Sequence, residues 1–170
     1  MINTAHSHPG RTSATRRLLG LPFIVLIGLA LLGAPRVVLH DFGVLTEGTA
    51  INAVFVFVPL VIWIVVALWQ RVPQPFLTLL VVGALYGVIL LFIHQILWDV
   101  GFGSNMPRLG GNLAGLDDRL QAVIIRFFAG LSSLFTGAIV GAITGLIAWG
   151  LGALTGRTRP VPRPHVHDGR

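Results

Sequence analysis

Four stretches of this chain, residues 18–36, 52–70, 76–98 and 128–154, run with almost no charge. Each is long enough to cross a hydrocarbon core about 30 Å thick as an α-helix, which takes roughly 17–25 residues. A segment in lipid has no water to bond, so its backbone must satisfy itself, and a helix does. The expected fold is therefore all-α: a polytopic integral membrane protein built as a four-transmembrane-helix bundle.

Composition points the same way. Of 170 residues, 54% are hydrophobic and 11% charged. A soluble domain carries about a quarter charged residues, so this chain lacks the polar groups to cover its own surface. The expected domain layout is a disordered cytoplasmic tail over 1–16, a membrane domain over 17–155 and a second disordered cytoplasmic tail over 156–170. The run after Arg11, Arg16 and Arg17 resembles a signal peptide. No small-x-small cleavage site follows it, so it reads as a retained first helix.

Within the spans, Pro22 falls in the first turn of span one and Pro59 inside span two, where a kink is expected. The short link Arg71-Val72-Pro73-Gln74-Pro75 makes spans two and three antiparallel neighbours. The fourth helix should start at Asp117 or Asp118 and run to about Leu154. At 1.5 Å per residue that is about 55 Å, too long for a direct crossing. Its amphipathic start, with Leu120, Val123, Ile124 and Phe127, should lie at the interface, with the crossing from Phe128.

The net charge of +6 comes from 12 basic residues, all of them Arg. They cluster at helix ends and tails, which argues against nucleic acid as a partner and for topology signals. With both termini inside, eight Arg face the cytoplasm and Arg36, Arg108, Arg119 and Arg126 face out. Asp41, Glu47, Asp99, Asp117 and Asp118 are then outside too. The lack of Lys, with abundant Ala, Gly and Pro, suggests the cytoplasmic membrane of a GC-rich bacterium. Cys is absent, which excludes disulfides, thiolate metal sites and thiol nucleophiles.

The strongest pattern lies in helix four, where Ala129, Ser133, Gly137, Gly141 and Gly145 recur every four residues. Small residues let helix backbones approach closely in lipid. The stripe serves either packing within one bundle or a homo-oligomer interface. Phe128, Leu131, Phe135, Ile139 and Leu146 form the expected lipid face. In span three Gly83, Gly87, His94 and Trp98 share a side, which sets His94 toward protein.

Ionisable groups near the membrane are functional candidates by default. His40, Asp41, Glu47, His94, Asp99 and Arg126 form the candidate polar cluster. His94 is read either as a hydrogen-bonded interface residue or as a proton relay. Arg126 is read either as an ion-pair partner of Asp41, Glu47 or Asp99, or as a site for an anion or a lipid headgroup. Asp118 with Gln121 matches a capping box rather than a catalytic acid pair. Leu39-x-Asp41-x-Gly43 and Leu97-x-Asp99-x-Gly101 follow odd-numbered spans, a faint sign of duplication. No metal-ligand spacing is present, and His6-x-His8 and His165-x-His167 read as solvated tails.

No phosphate loop, dinucleotide fingerprint or nucleophile elbow occurs, and no cofactor is expected. The expected function is a non-enzymatic structural, accessory or oligomeric membrane subunit with membrane lipid as its surroundings. One alternative is a channel or transporter component with an outer vestibule near His94 and Arg126. The other is an outer-leaflet enzyme using His40, Asp41, Glu47, His94 and Asp99.

Overall fold

The computed structural model describes residues 12–103 and 105–156. These form helices α1 (Thr12–Leu19), α2 (Phe23–Leu31), α3 (Ala34–Asp41), α4 (Ala50–Trp69), α5 (Pro75–Ile96) and α6 (Trp98–Phe102). A 3-10 turn at Gly111–Leu113 precedes the long α7 (Asp118–Leu154). There is no strand among the described residues. Four helical units are long and apolar enough to span a membrane: Phe23–Asp41, Ala50–Trp69, Pro75–Ile96 and Asp118–Leu154. The two His-x-His pairs lie outside the described residues. Of the stretch expected as a tail, residues 12–16 already belong to α1.

The first span departs from its expected limits of 18–36. It starts later, ends later and is broken in the middle. Gly20 ends α1 with φ +73, a conformation glycine adopts freely. Pro22 then precedes α2 as an extended cap (φ −62, ψ 146) rather than lying in its first turn. Pro35 stands in the first turn of α3, where it has no N–H to continue the ladder from α2. The break falls at Leu32–Gly33, and the ring of Tyr86 fills the space beside Gly33. Arg36, expected as a boundary, lies inside the span, where its Nε donates to Asn52 Oδ1 at 3.2 Å.

The centre of the molecule is the pairing of α5 with α7, the most extensive helix contact in the chain. The helices run antiparallel in a four-residue register. Phe76 faces Gly145, Leu79 faces Gly141, Gly83 faces Gly137 and Gly141, and Gly87 faces Ser133. Leu91 against Gly130 continues the register, as does Gln95, whose Nε2 donates to the Arg126 carbonyl at 3.0 Å. A Cβ added at Gly137 would lie 2.5 Å from the Gly87 Cα. The backbones therefore touch directly, and dispersion and Cα–H···O contacts hold them without a hydrophobic drive. Ser133 and Thr144 sit on this face without penalty, since each hydroxyl donates to the carbonyl four residues earlier.

The stripe on α7 is thus filled by α5 of the same chain. The opposite side of α7 exposes Phe128, Leu131, Phe135, Ile139 and Leu146, as the sequence pattern indicated. The remaining helices attach to this pair, α2 and α3 mainly on α5 and α4 mainly on α7. Two buried polar anchors fix them. Trp63 Nε1 donates to the Leu29 carbonyl at 2.7 Å, and Thr78 Oγ1 donates to the Leu19 carbonyl at 2.9 Å.

Gly137→Ala should cost about 1–3 kcal/mol by forcing the two backbones apart. Gly150, with open space around it, should tolerate alanine or gain up to about 1 kcal/mol. Reversible unfolding in mixed micelles compares the two variants. Equal effects would mean that the glycine contact does not set the packing.

Candidate functional site

The polar candidates gather at one end of the bundle, but in two groups. The first is a chain of side chains that starts on α3. His94 Nδ1 lies 2.9 Å from Asp41 Oδ2. His40 Nδ1 lies 3.5 Å from the other carboxylate oxygen, and His40 Nε2 lies 3.5 Å from Glu47 Oε1. Asp41 is the pivot of the group: its side chain is 10% exposed, against 75% for Glu47. With Nδ1 protonated, His94 donates to Asp41. Its Nε2 then has no hydrogen-bond partner among the described residues.

Local structure explains why these residues meet. α3 is short and ends at Asp41, so the carboxylate sits at the tip of a helix packed on α5. The α7-facing stripe of α5 passes through Gly83, Gly87, Leu91 and Gln95. His94 is one residue, about 100°, off that stripe. It reaches Asp41 of α3 and borders the space between α3 and α7, which refines the expected shared face with Gly83 and Gly87.

The second group is built on α6 and α7. Arg126 Nη2 lies 3.5 Å from Asp99 Oδ1, and the guanidinium stacks 4.9 Å from the centroid of the buried Trp98. Of the three acids considered for Arg126, Asp99 is the partner. Trp98 separates the groups, since it lines a cavity on each side. Asp41 and Asp99, although they occupy matching motif positions, end in opposite surroundings: Asp99 is 80% exposed.

The capping box at Asp118 and Gln121 does not form. Asp117 is the cap, its Oδ1 accepting from the Arg119 N–H at 2.9 Å. Gln121 is buried and holds the preceding loop instead. Its Oε1 accepts from the Leu109 N–H at 3.0 Å, and its Nε2 donates to the Leu116 carbonyl at 2.8 Å. A buried amide must find partners, and the loop backbone supplies them where the helix N-terminus does not.

A cavity of about 360 Å³ opens at the first group. Its walls include Asp41 and His94 with Ser132 and Thr136 of α7, and the rest is chiefly apolar. The fold places His94 and Ser132, far apart in the sequence, on the same cavity. No group of three or more His, Asp or Glu side chains suited to a metal occurs among the described residues.

No family model, curated protein or solved structure matches this chain. Fold and site together define an all-helical protein with four membrane-length apolar helices and a paired polar cluster at one end.

Asp41→Ala should cost about 1–3 kcal/mol, because it strands the half-buried His94 N–H. Asp99→Ala should stay within about 1 kcal/mol, as its pair with Arg126 is solvent-exposed. Unfolding in the same micelles ranks the two. Gln121→Ala should speed amide exchange at Leu109 and proteolysis between residues 109 and 116, with the bundle intact.

Proposed function

We propose that this chain is a non-enzymatic multi-pass membrane protein, a structural or accessory subunit, with both termini cytoplasmic. The observation that carries this reading is how the polar candidates are used. His40, Asp41, Glu47 and His94 bond one another, as do Asp99 and Arg126. Each set ties separate elements together, α3 to α5 and α6 to α7. The part-buried Asp41–His94 bond is the one of these that fixes two helices, and the exposed Asp99–Arg126 pair adds little.

The Arg distribution supports the orientation. Arg16, Arg17 and Arg71 lie at the end opposite Asp41 and His94, and with Arg11, Arg157, Arg159, Arg163 and Arg170 of the terminal sequence they make eight against four, the excess that marks a cytoplasmic side. The all-Arg basicity supports the cytoplasmic membrane of a GC-rich bacterium as the location. With the glycine stripe filled by α5, a homo-oligomer formed through α7 would use the exposed face of Phe128, Phe135 and Ile139.

A second reading, a channel or transporter component, is favoured by the cavity at His94 and Asp41. The enzyme reading loses one of its five residues to the far side of Trp98, where Asp99 pairs with Arg126.

Proteoliposomes separate these readings. On the structural reading, ion and solute flux through the wild type equals that of empty vesicles, and His94→Ala lowers only the unfolding midpoint. A wild-type flux that His94→Ala abolishes would replace it with the vestibule reading. Orientation is checked by labelling, since the chain has no native cysteine. A membrane-impermeant maleimide should reach Thr46→Cys from outside intact cells and should not reach Gln74→Cys.

A further inference from the structure

Arg36 is a charged group inside a span that these pairings do not use. Arg36 lies five residues before the end of α3, within an apolar span. None of the ion pairs among the described residues includes it. Its Nε donates to the neutral Asn52, and the phenol of Tyr86 lies beside it. A guanidinium has five N–H donors, and two neutral acceptors leave both its charge and several donors unmet. A cation at the edge of an apolar layer needs a counter-charge or water.

Beside Arg36 is a second cavity, of about 160 Å³. Gly33 contributes no side chain to it. From Arg36 the cavity passes along α4 by Phe55, Val56 and Pro59 to Trp63, with Val140 of α7 opposite. The charged end is near the start of α4, since Asn52 is its third residue. The apolar end reaches Trp63, about 16 Å further along the helix. The slot is therefore cationic at the level of lipid headgroups and apolar at the level of acyl chains.

We propose that this slot is a lipid site, in which Arg36 binds the anionic head, phosphate or carboxylate, of a membrane amphiphile. One acyl chain then lies against Phe55, Pro59 and Trp63. The break at Gly33 and Pro35 has a role on this account. It sets Arg36 off the line of α2, and the glycine admits the Tyr86 ring, which forms one wall of the slot. The site rests on the membrane-spanning reading and is independent of whether the protein is a subunit or a vestibule.

Trp63 reports occupancy, because a brominated acyl chain quenches an indole it touches. The test uses the full chain with Trp69, Trp98 and Trp149 changed to Phe, reconstituted in vesicles. Brominated phosphatidylglycerol is compared with brominated phosphatidylcholine, which has the same tails and no net charge. Phosphatidylglycerol should quench Trp63 with an apparent affinity about five-fold higher, the scale expected for one cation near an anionic lipid. Arg36→Gln should remove that preference and Arg36→Lys should keep part of it. Asn52→Asp retains Arg36 but supplies an internal carboxylate. It should also reduce the preference, which keeps the test decisive if Arg36→Gln folds poorly. Equal quenching by the two lipids in the parent, or a preference that persists in both Arg36→Gln and Asn52→Asp, would overturn the proposal. Inorganic phosphate, matched for ionic strength with chloride, should change nothing. If it abolishes the phosphatidylglycerol preference, the site takes a soluble anion and the lipid assignment is wrong. Native mass spectrometry of lipid retained by the four-Trp chain and its Arg36→Gln variant gives an independent count.

Discussion

Direct backbone contact between α5 and α7 is the constraint on which the rest of the structure depends. Lipid offers helices no hydrophobic reason to associate, so close approach must supply the attraction. Glycines at 83, 87, 137 and 141 allow that approach and leave no room for side chains between the helices. Everything else hangs from this pair. α2, α3 and α4 pack on it through a shared apolar core that includes Leu26, Val37, Trp63 and Leu79, and single polar contacts such as Trp63 to Leu29 and His94 to Asp41 pin them locally. The molecule is thus a stiff central pair with lighter attachments.

That arrangement also explains where the cavities are. α5 pairs with α7 on one side and with α3 on another, and α3 and α7 make no extensive contact of their own. The space between them is floored by α5 through Tyr86, Leu90 and His94. Thr136 of α7 lines both the cavity at His94 and the slot at Arg36. Both openings lie where α3 and α7 do not close on one another.

Much of the fold was legible because the signals are local. Apolar length located four spans, and the four-residue glycine repeat located the packing face of the last one. What the repeat could not say was which helix would fill it, since Gly83 and Gly87 mark α5 only weakly. The first span was misplaced because Arg36 looks like a boundary on a hydropathy scale. Inside the span it bonds Asn52, sixteen residues away. The candidate polar residues were legible as a set but not as pairs. Asp41 and Asp99 have matching local motifs, and only the turn from α5 into α6 decides that one is enclosed and the other exposed. Gln121 was misread for the same reason, as its partners belong to a loop whose path no local pattern records.

The length of α7 has a consequence of its own. Its 37 residues rise about 55 Å, some 25 Å more than a hydrocarbon layer is thick. If residues 128–154 occupy that layer, the first ten residues of the helix stand clear of it as a post. Gln121 clips the loop backbone at Leu109 and Leu116 to the flank of this post. The loop is thereby carried on a stalk continuous with the stiffest element in the membrane. The one unbroken helix that carries this loop is also the helix that makes the glycine contact with α5.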